Sequence, residues 1–166
     1  SDTLHYNNAS EISYFFGPTT ILGEDSEIYC ENGWYNTQSE ICQFSESASI
    51  TSETTLLKGD SIYYDGAKKY GEAFRNVMIS DSVDKFTITG EYGFHDQLND
   101  SSFVVGRAVY IQDFEKDSLF LHADTLLAVS DSIGQNIIRA FNRVTFYKTD
   151  IQGKAERIKN TVFPWG

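Results

Sequence analysis

Six acidic residues each follow a small residue: Ser1-Asp2, Cys30-Glu31, Gly59-Asp60, Gly90-Glu91, Ala123-Asp124 and Ala155-Glu156. The acids lie 29, 29, 31, 33 and 32 residues apart. Carboxylates stacked at one level of a repeat have the chemistry of a cation site. Carboxylates beside a chain bend instead point to water and partner with turn amides. The second reading is adopted here, and neither a metal nor a cofactor is expected.

The remaining reactive side chains give less. His5, His95 and His122 are far apart in this spacing and form no HxxxH pair, so they read as surface residues. Cys30 and Cys42 permit one disulfide without requiring it. Cys30 fills the slot that Gly or Ala takes at the later anchors. A hairpin turning near Thr37-Gln38 would set Cys30 against position 45 and Cys42 against position 33. That offset exceeds the roughly 5.5 Å between bridged Cα atoms, so two free thiols are expected. No GxSxG, P-loop or HExxH is present, and no enzymatic activity is expected. Paired carboxylates on a polysaccharide-cleaving parallel β-helix are a distant third reading. Such solenoids have shorter coils and no hairpin in each unit.

The elements that carry these residues follow from composition and spacing. The chain has 166 residues and is 40% hydrophobic and 14% aromatic, enough to bury one core. Tyr, Phe and β-branched residues are frequent, the profile of a strand-rich protein. A net charge of -11 repels phosphate backbones, so nucleic acid is not an expected partner. No apolar run reaches the roughly 20 residues of a membrane-spanning helix. The sequence begins SDTLHYNN, without a signal-peptide pattern.

The acids mark a repeat. A short alternating strand runs into each anchor and continues through it, as in TTLLKGDSIYY. A second strand follows about 15 residues later: FGPTTI (16–21), SESASI (45–50), FRNVMI (74–79), VGRAVYI (105–111) and FNRVTF (141–146). The fourth copy carries one extra residue, read as a β-bulge, and the fifth has a longer connection, SDSIGQ. Turn clusters such as YNNASE, YNTQSE and YDGAKKY separate the strands. Five hairpins and a truncated sixth, ERIKNTVFPWG, account for the chain. The array starts at an anchor and ends inside a unit, so one domain over 1–166, cut from a longer chain, is expected.

A unit of about 30 residues with two strands cannot bury its own apolar face, and stacking supplies the partner. The small residue in mid-strand, with Gly17, Gly106, Asn76 and Asn142 in the second strand, predicts a sharp bend at that level. The expected fold is all-β: V-shaped repeats stacked into an elongated β-jellyroll open at both ends. Period-2 alternation places Ile62 and Tyr64, Val77 and Ile79, Phe86 and Ile88, Val109 and Ile111, Leu119 and Leu121, and Val144 and Phe146 on the inner wall. Periodicity alone leaves two uses of that wall open: an ordinary packed core, or a lipid-sized groove.

The strings FGPTTI, IYCENGWY, LLKGDSIYYDGAKKYGEAFRNVMISD and HADTLLAV resemble the OstA-like family of Bacteroidetes. That family is similar to LptA and to the N-terminal domain of LptD. The resemblance runs over roughly residues 2–158 and is most specific over 56–81. Cys42 departs from the ordinary polar or small residue of its slot. The resemblance implies a periplasmic, non-enzymatic β-jellyroll whose interior shields the acyl chains of lipid A, part of lipopolysaccharide transport. It also implies end-to-end strand pairing with similar domains, here through strands near 2–22 and 141–162. A ligand-free β-repeat scaffold or protein-interaction module is the alternative.

Overall fold

The computed structural model describes residues 1–24, 26–114, 117–130 and 136–161. Among them are eleven strands and no helix: β1 (Thr3–Asn7), β2 (Ile12–Leu22), β3 (Ser26–Asn36), β4 (Ile41–Ser52), β5 (Thr55–Asp65), β6 (Tyr70–Asp81), β7 (Phe86–Asp96), β8 (Ser101–Asp113), β9 (Ser118–Ser130), β10 (Asn136–Lys148) and β11 (Ile151–Thr161). They form one sheet in chain order, and every neighbouring pair is antiparallel. This meander of hairpins is not a parallel β-helix. The odd strands from β3 to β11 each run through an anchor. The even strands are longer than the six or seven residues read from sequence. Stretches such as residues 70–73 pair across the turn before the bend and extend β6 backwards.

Each even strand bends at a bulge opposite an anchor. Lys58 pairs with Met78 and Ser61 with Phe74, so residues 59–60 of β5 face residues 75–77 of β6. The surplus residue is absorbed by left-handed backbone at Arg75 (φ 57°) and Asn76 (φ 50°). The same device recurs at Glu46 and Ser47, Gly106 and Arg107, and Asn142 and Arg143, while Gly17 (φ 84°) serves β2. Gly and Asn were expected there. Glu, Ser and Arg take the same angles against their own preference because pairing on both sides fixes the turn.

The bulge corrects one sequence reading. Every even strand from β4 to β10 has it, so VGRAVYI contains no additional one. Gly106 and Arg107 stand where Arg75 and Asn76 stand in β6. Ala108 and Tyr110 are therefore the counterparts of Val77 and Ile79. The extra length lies in the β6–β7 connection, residues 82–85, against 53–54 between β4 and β5.

One row of hairpin loops is tied together. Asn7, Asn36, Asp65 and Asp96 end successive odd strands, and each side-chain Oδ1 accepts an N–H from its own loop at 2.9–3.3 Å. Each loop closes on a left-handed residue: Glu11, Glu40, Lys69 or Asp100. The carbonyls of the first three accept N–H bonds from Thr37, Gly66 and Gln97 of the following loop, at 3.0, 2.9 and 3.0 Å, and that of Asp100 accepts from Ser130 at the end of β9, at 3.2 Å. Residues 131–135, most of the SDSIGQ connection, lie outside the described residues.

Candidate functional site between the two arms

The bends divide the sheet into two arms that fold over one another. The first arm carries Ile28, Ile50, Leu57, Val77, Ile79, Phe86, Ile88, Tyr110, Leu119, Leu121 and Val144 on its inner side. The second carries Phe44, Ile62, Ala73, Val104, Leu126, Ala128 and Ile138. All of these except Leu119 belong to one core cluster. The sequence reading found most of the first wall. It missed most of the second, although the same alternation resumes beyond each anchor: two residues, such as Asp60 and Ser61, point outward and then the inner face returns at Ile62.

Of the residues assigned to the inner wall, Ile62, Val77, Ile79, Phe86, Ile88, Leu119, Leu121 and Val144 are buried. Tyr64 and Phe146 are half-buried and pack against them. Val109 and Ile111 are on the outer face, and Ala108, Tyr110 and Gln112 point inward in their place. The cause is the register at the bulge described above.

The arms touch. A Cβ built on Gly71 of the second arm would meet Leu57 Cδ2 of the first at 2.8 Å. One on Gly93 would meet Val77 Cγ1 at 3.2 Å, and one on Gly59 would meet the Ala73 Cβ at 3.1 Å. Ile62, Ile79 and Ile88 are 0% exposed. At the mouth between the arms lies a cavity of about 50 Å³, with Ile50, Ser52 and Leu57 on one side and Tyr64, Gly71 and His95 on the other. Ligand pockets occupy roughly 300–1,000 Å³. In this closed state the trough does not hold an acyl chain.

Polar groups near the mouths are satisfied. Gln112 donates from Nε2 to the Asp84 carbonyl at 2.7 Å and accepts from the buried Tyr110 hydroxyl. Asp65 binds Lys68 Nζ at 2.7 Å. His95 faces inward, with Nδ1 2.9 Å from Ser102 Oγ. Burial holds its pKa below the ordinary imidazole value, against the opposing pull of Asp100, Asp96 and Asp81. It is not the surface residue the sequence suggested; His5 and His122 are exposed.

In the acid ladder, Asp60, Glu91 and Asp124 lie outside the bend, and their partners are bulge side chains rather than turn amides. Asp60 meets Arg75 Nε at 3.4 Å and accepts from Asn76 Nδ2 at 2.9 Å. Arg107 donates to Glu91 at 2.9 Å, and Arg143 donates to Asp124 through Nε at 3.0 Å and Nη2 at 2.6 Å. Among the described residues no three His, Cys, Asp or Glu side chains converge as metal ligands.

Both cysteines are free and fully buried. Burial pushes the Cys30 thiol up to about 11 and the Cys42 thiol up to about 12. The positions expected to face them differ. Cys42 pairs with Tyr35 of β3 because the turn spans 37–40, and Cys30 lies opposite the bulge of β4, where residues 30–31 face residues 46–48.

The architecture defines a class: an open antiparallel β-jellyroll of the LptA-like kind. Residues 1–60 match the family model described as OstA-like protein. The fold is shared with the crystal structure of LptH from Pseudomonas aeruginosa, the LptA-homologous periplasmic component of its lipopolysaccharide transport device. That likeness has a TM-score of 0.53 and 17% identity, and covers 62% of this chain and 72% of LptH. No curated protein matches the chain.

Proposed function

We propose that the chain is a periplasmic, non-enzymatic domain of lipopolysaccharide transport that shields lipid A acyl chains between its arms. The observation that carries this is an apolar inner face continuous from β3 to β10 in a fold shared with LptH. The OstA-like match over residues 1–60 supports it. Shielding is energetically sufficient. At roughly 0.8 kcal/mol per buried methylene, a chain of about twelve gains on the order of 10 kcal/mol over exposure to water. Because the arms touch, they must part to admit lipid, and Gly59, Gly71 and Gly93 mark where they separate.

The same reading includes end-to-end partners. β1 and β11 each have one neighbour in the sheet, leaving an edge for strand addition. Charge favours head-to-tail order. Residues 1–57 hold nine Asp or Glu and no Lys or Arg, whereas residues 136–161 hold six Lys or Arg and two Asp or Glu.

A photo-crosslinking residue at Tyr64 or Phe146, both inward and half-buried, tests the proposal in cells that make lipopolysaccharide. Crosslinked lipopolysaccharide is the expected product. Its absence at both sites, with a folded protein, would leave the second reading, a ligand-free scaffold. The closed trough, with its cavity of about 50 Å³, favours that alternative.

A further inference from the structure

An antiparallel sheet that covers a core on one side ordinarily turns polar side chains to water on the other. The first arm does so: register aligns Thr20, Tyr29, Ser49, Lys58, Met78 and Thr89 across its outer face from β2 to β7. The second arm does not. Its outer face aligns Tyr14, Trp34, Gln43, Tyr63, Glu72 and Phe94 over the same strands. A parallel row has Phe16 at one end and Phe74 and Tyr92 at the other, with Asn32, Ser45 and Ser61 between them; Phe16 is 46% and Phe74 39% exposed. The rings prop one another: Tyr70 and Phe94 have centroids 5.5 Å apart, and Phe74 and Tyr92 5.2 Å.

We propose that the outer face of the second arm binds an extended, uncharged glycan chain. Trp34, Tyr63 and Phe94 stand on alternate strands, about 10 Å apart at two strand spacings. Planar polar groups, the Gln43 amide and the Glu72 carboxylate, occupy the strands between. A pyranose ring has a C–H face that lies on an aromatic ring and a rim of hydroxyls that seek amides and carboxylates. Alternating ring and polar group along a row meets both needs of a saccharide chain laid across the strands.

The carboxylate is already oriented. Glu72 accepts from the Tyr70 hydroxyl at 3.0 Å and the Tyr92 hydroxyl at 3.1 Å, one on each oxygen. Each oxygen keeps a second lone pair for a sugar hydroxyl. Charge selects the occupant. From β1 to β7 no strand residue of this face is Lys or Arg; Glu72 and Asp96 lie on it, and Asp65 does too, paired with Lys68 of the adjoining loop at 2.7 Å, on a chain of net charge -11. An anionic polymer is repelled, and hydroxyl donors complement the carboxylate acceptors. This surface lies opposite the trough and does not depend on lipid binding there.

The test uses native gels cast with neutral polysaccharides (a β-linked glucan and a glucomannan), and calorimetry with β-linked glucose and N-acetylglucosamine hexamers. No lipid is present, so the outcome is independent of the trough. Retardation of the unmodified chain is expected. Trp34→Ala and Tyr63→Ala should each weaken hexamer binding about tenfold or more with unchanged melting, while Tyr29→Ala, on the outer face of the first arm, leaves it intact. The proposal is overturned if none of these glycans binds the folded chain, or if Tyr29→Ala weakens binding as much as Tyr63→Ala. Self-association abolished by Tyr63→Ala would also overturn it, by making a second copy the occupant.

Discussion

The middle of the stack and its N-terminal end are written in the same alternation and reach opposite states. In β5 to β9, inward residues such as Ile62, Ile79, Ile88 and Leu121 are sealed. In β1, Leu4 and Tyr6 pair with Phe15 and Ser13 and so face the same interior, yet they are 55% and 51% exposed. All five residues of β1 are exposed. The pattern is equivalent; the neighbours are not. In a stacked repeat, burial belongs to the interface between units, so an end unit shows what an internal one hides.

Hydrogen exchange gives the widest expected separation. Amides of β1 should open at almost no cost, whereas those of β5 to β8 should open only with global unfolding, about 5–15 kcal/mol for an ordinary domain. Equal protection in β1 would erase the contrast. Substitution comes next. Ile79→Asp places a carboxylate in the sealed wall and should cost several kcal/mol, enough to abolish the cooperative melt. Met78→Asp on the outer face and Tyr6→Asp on the open inner face should each stay within about 0.5 kcal/mol. A normal melt for Ile79→Asp would mean that water reaches the trough.

Smaller effects sharpen where the sealed region begins. Gly71→Leu forces the arms apart at Leu57 and should cost about 1–3 kcal/mol in chemical denaturation. Next come the thiols, which sit on β3 and β4, between the end and the middle. Burial raises their folded values to about 11 and about 12, from the ordinary thiol value of 9.0. The unfolded chain therefore loses these protons first. Stability from this source is complete below about pH 9 and falls as pH rises towards 11–12. Cys42→Ala should flatten that decline, and alkylation at pH 8 should label neither thiol until the chain unfolds. The smallest effect belongs to the outer bend: Asp124→Asn removes an exposed ion pair and should cost no more than about 1 kcal/mol, less at high salt.

Much of this architecture is legible in the chain because the repeat is written in side chains. Small-residue anchors, alternating apolar positions and turn clusters gave the strands and the level of the bend. What escaped depends on partners distant in sequence. Val109 and Ile111 fall inside only if the bulge is peculiar to one copy, whereas Arg75, Glu46 and Arg143 form it with residues that no backbone preference marks. The closure of the arms was also unreadable. It requires Gly71 to stand over Leu57 and Gly93 over Val77, a matter of curvature rather than pattern. The aromatic outer face was visible in composition, but only register sorts Trp34, Tyr63 and Phe94 into one row.

The loop-to-loop bonds along one rim have a mechanical consequence. Strands lie across the long axis of the stack, so tension applied between its two ends loads the sheet one strand at a time, like a seam being peeled. Glu11, Glu40, Lys69 and Asp100 add a stitch at each step on that rim, where their carbonyls hold the following loop or, for Asp100, the end of β9. Under pull, the structure should therefore yield in a series of small tears separated by one hairpin's length of slack, rather than in a single rupture.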